Sequence, residues 1–101
     1  MSVRHVVLFE HSDGHEERVR RIIDALNALP AQIDWIRSWS INEDLGKRPG
    51  SCRWCLIATF DDMESMQRYL DHPAHQAAVA MGAGILEKLA EHDHPSSLNE
   101  R

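Results

Sequence analysis

What most constrains this chain is an order: two stretches with helical spacing of apolar residues, each set between short runs rich in β-branched and aromatic residues. "RHVVLFE", residues 4 to 10, is one such run, and it stops at the polar "HSDG", so it predicts a first strand. Val19, Ile22, Ile23, Leu26 and Leu29 then fall at helical spacing, with Arg18, Arg20, Arg21 and Asp24 mostly opposite. They predict an amphipathic helix of about four turns, capped by Asp13 with Glu16 as its reciprocal partner and closed by Pro30. "IDWIRSWSIN", residues 33 to 42, is rich in Ile and Trp without a helical period and predicts a second strand with Trp35 and Trp39 on one face. "EDLGKRPGS", residues 43 to 51, reads as a loop, and "RWCLIATF" as a third strand.

The second helical stretch starts at Asp61, expected to cap it with Glu64 three positions on. Met63, Met66 and Leu70 form its apolar stripe as core filler, with Tyr69 beside it. His72 and Pro73 break this helix, because proline is disfavoured inside a helix and suited to the first turn of a new one. A further helix follows, with Ala74, Ala77, Ala78, Met81 and Ile85 on one face. Gly82 and Gly84 mark its end, and of the two readings of "LEKLAEHDH", helix or strand, a fourth strand from about Glu87 to His94 is expected. The order strand, helix, strand, strand, helix, strand specifies an α+β, ferredoxin-like βαββαβ fold: a four-stranded antiparallel sheet with helices on one face. The other face needs cover, and three Trp in so short a chain point to sheet packed on sheet in a dimer.

At 101 residues the chain fits one domain over 1–101, with an ordered core of about 3–95 and a frayed "SSLNER" tail. A domain of this size buries only roughly two-thirds of its unfolded surface, so a second copy is a natural source of further burial. A net charge of -5, from 16 acidic and 11 basic residues, argues against a nucleic-acid partner. No apolar run is long enough to span a membrane, and the N-terminus turns polar too soon for a signal peptide, so a cytoplasmic protein is expected. Cys52 and Cys55 lie three apart in a strand-like run, where they point to opposite faces and read as reduced structural thiols.

With this pattern established, several strings resemble the stress-responsive A/B barrel domain (Dabb) family of small dimeric α/β barrels. "HVVLFE" is similar to its opening strand, "ALNALP" to the end of its first helix, and "SWSIN" to the strand that follows, with Ser40 where glycine is common. "FDDMESMQRYLDHPAHQAAV" is the strongest match, since the family carries Tyr-x-x-His-Pro-x-His there. The resemblance spans residues 4 to 94 and implies a homodimer whose two sheets close into a barrel. Family members include plant stress proteins and a plant polyketide cyclase that closes an aromatic ring by aldol condensation. That cyclase implies Tyr69 and His75 as the catalytic pair and His5 as a pocket residue, while the third-strand His of the cyclase is replaced here by Trp54.

From these residues the site is expected to place His75 in the first turn of its helix, where the helix dipole favours the neutral imidazole of a general base. Tyr69 would hold the oxygen of an enolate. His5, Val7 and Phe9 share a strand face and, with Trp54 and Met81, are expected to line the substrate pocket. The leading reading is a cofactor-free lyase or cyclase acting on a polyketide-like or other enolisable small molecule. The alternatives are a non-catalytic, small-molecule-binding or stress-associated dimer, with Tyr69 covering the core edge and His75 satisfied by backbone, and a cofactor-free monooxygenase or isomerase of the dimeric α/β barrel group. His72 and His75, and His92 and His94, have spacings that could share a metal, but neither pair has a third ligand, and no metal or cofactor is expected.

Overall fold

Alternate residues of the opening strand meet opposite surroundings: Val3, His5 and Phe9 are buried, while Arg4, Val6 and Leu8 between them stay partly open. This strand is β1, Val3–Glu10, of a computed structural model that describes residues 1–96. After it come α1 (Glu16–Asn27), the short α2 (Leu29–Gln32), β2 (Ser38–Glu43), β3 (Trp54–Phe60), α3 (Met63–Asp71), α4 (Pro73–Met81) and β4 (Glu87–Pro95). The four strands form one antiparallel sheet in the order β2-β3-β1-β4. The fold is the expected ferredoxin-like α+β arrangement, and the ambiguous last element is a strand. Ser96, the first residue of the tail expected to fray, is instead held by Ser2, donating its N–H to the Ser2 carbonyl and accepting from the Ser2 hydroxyl, and the rest of that tail, 97–101, lies outside the described residues.

The core lies between the helices and one sheet face. Val19, Ile22 and Leu26 of α1 and Met66 and Tyr69 of α3 are buried with Val3, Phe9, Leu56, Ala58 and Phe60 of the strands. Leu29 and Ile33, on either side of Pro30, are also almost fully buried. Pro30 therefore does not close the first helix but sits in the first turn of α2, where its missing N–H needs no partner.

Several boundaries differ from the sequence reading, each for a local reason. The N-cap of α1 is His15; Asp13 turns instead to Arg53 at 3.2 Å, and Glu16 reaches back to accept from the Gly14 N–H. Asp62 rather than Asp61 caps α3, accepting from Ser65 N at 2.7 Å, because Asp61 is held by two hydrogen bonds from Arg37. That start leaves Met63 half exposed at the corner of the helix, and Tyr69, placed beside the stripe by the sequence, lies at its centre.

Trp35 is not on the second strand. The chain is still turning there, with Ile36 N donating to Ile33 O, and pairing with β3 begins only when Arg37 N donates to Thr59 O. Trp35 donates its indole N–H to Ser65 O and lies under the Arg68 guanidinium at 4.3 Å. Trp39 and Trp54 pair across the sheet with Ala58 and Phe9, on the helix side. The outer sheet face therefore carries no Trp; its apolar residues include Val6, Leu8, Ile57 and Ala90.

Candidate functional site

One row of residues runs straight across the sheet on the helix side: Trp39, Ala58, His5 and Asp93 are successive cross-strand partners. Ala58 is the small member, and its methyl leaves a gap between two rings. Tyr69 comes down from α3 into that gap, edge-on to His5 at 6.2 Å and to Trp39 at 6.0 Å, and against Phe60 at 5.0 Å. The phenol is 1% exposed, and burial pushes its pKa well above the usual phenol range, so it remains an O–H donor.

His75 stands over the same phenol, ring centroids 4.5 Å apart. It arrives there because α3 stops at Asp71 and α4 restarts at Pro73, with His72 serving as C-cap of one and N-cap of the other. His72 Nδ1 accepts from Ala74 N at 3.0 Å, so its role is the expected punctuation. His75 Nδ1 lies 3.0 Å from the Leu70 carbonyl, which can only accept, so the ring carries its proton on Nδ1 and offers Nε2 as a base. Burial lowers the His75 pKa, the Leu70 carbonyl partly opposes this, and the nearby His5 and His72 lower it further.

Both rings line a cavity of about 450 Å³ between the sheet and the helices. His5, Val7 and Phe9 form its strand wall; Leu26, Leu70, Val79, Gly82 and Leu86 are among its apolar helix-side residues. Trp54 and Met81, the other two expected pocket residues, do not line it. Trp54 stacks nearly parallel on Phe9 beside His11, and Met81 ends α4 with its side chain 44% exposed. Among the described residues, no group of the chain bonds Tyr69 Oη, His75 Nε2 or His5 Nε2.

Three residues at the site had escaped the sequence reading. Asp93 holds His5 Nδ1 at 2.6 Å. Lys88 and Glu91 pair with each other and both line the cavity, although residues three apart on a regular strand face opposite ways. A bulge reconciles this: the register slips between Leu8 and Phe9, so Leu89 is the extra residue and Lys88 and Glu91 oppose Phe9 and Val7 on one face. Such a bulge leaves little mark in a sequence, whereas the Asp93 partnership follows once β1 and β4 are aligned.

The two histidine pairs are otherwise engaged. His72 and His75 each bind backbone through Nδ1, and His92 and His94, rings 5.3 Å apart, lie on the opposite sheet face beside Val6 and Arg4. Among the described residues no three metal-binding side chains gather. Both cysteines are free; Cys52 precedes β3 and donates to the carbonyls of Phe9 and Trp54, and burial pushes the Cys55 thiol up. No helix among the described residues is long and apolar enough to cross a membrane.

Comparison with known proteins places this geometry in a wider group. The model of the family described as Stress responsive A/B Barrel Domain matches residues 3–96. An uncharacterized protein of Streptomyces coelicolor is 39% identical over 82 residues, 78% of this chain and 84% of that one. A crystal structure of a dimeric ferredoxin-like protein of unknown function from Thermobifida fusca superposes with a TM-score of 0.84 at 31% identity, covering 95% of this chain and 92% of the other. The hydroxynitrile lyase of Passiflora edulis has a TM-score of 0.83, covering 96% and 94%, at 17% identity, a likeness of fold alone.

Proposed function

The chain belongs to the stress responsive A/B barrel domain family, and from that premise we propose that its cavity binds a small enolisable carbonyl compound, polyketide-like in the leading case, and moves a proton on it. The observation that carries this reading is the Tyr69–His75 pair: one donor and one base, rings 4.5 Å apart at one cavity, each with a polar atom that no group among the described residues bonds. A methylene beside carbonyls is already acidic, so one positioned base and one hydrogen-bond donor meet the chemical need without a metal or organic cofactor.

In this mechanism His75 Nε2 takes the proton from the carbon next to the carbonyl, and the C–H electron pair moves into the carbonyl. Tyr69 Oη–H donates to the oxygen as its charge develops. The enolate carbon then attacks a second carbonyl of the folded substrate, the new C–C bond forms, and the His75 imidazolium returns its proton to the resulting alkoxide. The cavity wall supplies the folding of the chain that brings the two carbons together.

The test is deuterium uptake at the methyl carbon of acetophenone, a simple enolisable ketone, followed by NMR in D2O. The protein is expected to accelerate exchange, and His75→Ala and Tyr69→Phe to remove the acceleration. Unchanged exchange with His75→Ala overturns the reading. Saturable binding with no exchange in the parent protein favours the non-catalytic alternative.

The assembly proposed with this function is a homodimer. The Thermobifida fusca relative is described as dimeric, and Val6, Leu8 and Ile57 offer a second such chain an incompletely covered sheet face. The free Cys52 and Cys55 suit the cytoplasm, where thiols stay reduced.

A further inference from the structure

His5 is almost fully buried, yet it spends a hydrogen bond on Asp93 of the neighbouring strand rather than on backbone. The two are cross-strand partners, so the carboxylate stands directly beside the imidazole, with Nδ1 and Oδ1 2.6 Å apart. A carboxylate only accepts, so the ring carries a proton on Nδ1, and in the neutral imidazole this leaves Nε2 as an acceptor. His75 is fixed in the same tautomer by the Leu70 carbonyl. Tyr69 stands between the two imidazoles, 6.2 Å from one ring and 4.5 Å from the other. The cavity thus presents an acceptor, a donor and a second acceptor in sequence.

We propose that Asp93 is a positioning residue that locks His5 as a hydrogen-bond acceptor, and that the site selects carbonyl compounds bearing a hydroxyl or enol O–H away from the reacting carbon. This rests on the carbonyl reading above and names the substrate class within it. The carbonyl oxygen takes the Tyr69 hydroxyl, the reacting C–H faces His75 Nε2, and the second O–H donates to His5 Nε2. A plain ketone fills only the first two positions and leaves His5 Nε2 unpartnered, which a site built to bond a hydroxyl penalises.

Two probes differ only in this respect: acetophenone, and 3,5-dihydroxyacetophenone, whose hydroxyls cannot bond its own carbonyl. The dihydroxy ketone is expected to bind the parent protein about tenfold more tightly, the worth of one added hydrogen bond. In His5→Phe, which keeps a ring but no nitrogen, the advantage of the hydroxyls over acetophenone is expected to vanish. Asp93→Ala, at a side chain that is 28% exposed, is the second variant should the buried substitution fail to fold. There the long-range proton–nitrogen NMR correlations of His5 are expected to move from a protonated Nδ1 towards a protonated Nε2, a change that a merely structural role for Asp93 does not produce.

An unchanged His5 tautomer in Asp93→Ala, or a hydroxyl advantage that survives His5→Phe, overturns the proposal. If acetophenone binds and the hydroxyls add nothing, this inference falls and the carbonyl reading stands. If neither ketone binds, the carbonyl reading falls and takes this one with it.

Discussion

Tyr69→Phe separates the two roles a buried tyrosine can have. The ring is structural: it touches His5, Trp39, Phe60 and His75 and is 1% exposed. Removing it altogether, as in Tyr69→Ala, is expected to cost about 3–5 kcal/mol, the usual range for a buried aromatic cut to alanine. At roughly 4–8 °C per kcal/mol for a domain near this size, that is a melting-temperature loss of ~12 °C or more. The hydroxyl is a different matter, because among the described residues nothing in the chain bonds it. Its deletion breaks no internal bond and relieves some of the burial cost of a polar group, so Tyr69→Phe is expected to be neutral or to stabilise by up to ~1 kcal/mol. Chemical denaturation gives the stability, and α-proton exchange of acetophenone gives the function. The expected pattern is unchanged stability with lost exchange. A loss above ~1 kcal/mol in Tyr69→Phe means the hydroxyl holds a structural bond and refutes the reasoning from its lack of a partner. Retained stability with retained exchange refutes the role given to it in the chemistry.

The remaining expectations concern pH and packing. Burial holds the His75 pKa below its ordinary 6.5, so the unfolded chain binds that proton more readily and stability falls as pH drops below 6.5, levelling off once the folded ring is also protonated. His75→Phe is expected to shallow that part of the melting-temperature profile, and a profile of unchanged slope would contradict the assignment. The Asp62 carboxyl is held below its ordinary 3.8 by the Ser65 N–H, so its contribution is present above pH 3.8 and lost as pH falls through the lower folded-state value. Asp62→Ala is therefore expected to lower the melting temperature at neutral pH and to converge with the parent in acid. Ala58→Leu fills the gap that Tyr69 occupies; overpacking is expected to cost roughly 1–3 kcal/mol and to shift the Tyr69 ring resonances. Unmoved resonances would show that Ala58 does not set the position of the phenol.

The βαββαβ order was legible because strands and helices differ in period, and Val19, Ile22 and Leu26 could belong only to a helix with one buried face. What failed was the choice between adjacent residues of similar chemistry. Asp61 and Asp62 are equally good caps on paper, and only Arg37, 24 positions away, removes Asp61 from the contest. Asp13 is drawn off in the same way by Arg53, 40 positions away. The site divides along the same line. His5, Val7 and Phe9 share a face by strand alternation and do line the cavity. Met81 and Trp54 required knowing where α4 ends and what stacks on Phe9, and Lys88 and Glu91 required a bulge whose extra residue, Leu89, looks like any other strand residue.

The His72–Pro73 break is the feature on which the geometry turns. On one continuous helix, residues six apart lie ~9 Å along the axis and point about 120° away from each other. Tyr69 and His75 are six apart, so an unbroken helix through both would send one ring into the core and the other away from it. Their 4.5 Å separation therefore requires the interruption. Pro73 has no N–H to donate back into α3, and His72 satisfies the new helix start by accepting from Ala74 N. The Leu70 carbonyl, near the end of α3, then accepts a hydrogen bond from His75 Nδ1–H. A helix end whose carbonyls need donors and a histidine that needs a fixed tautomer meet each other's requirement, which is why the break shapes the site as well as the fold.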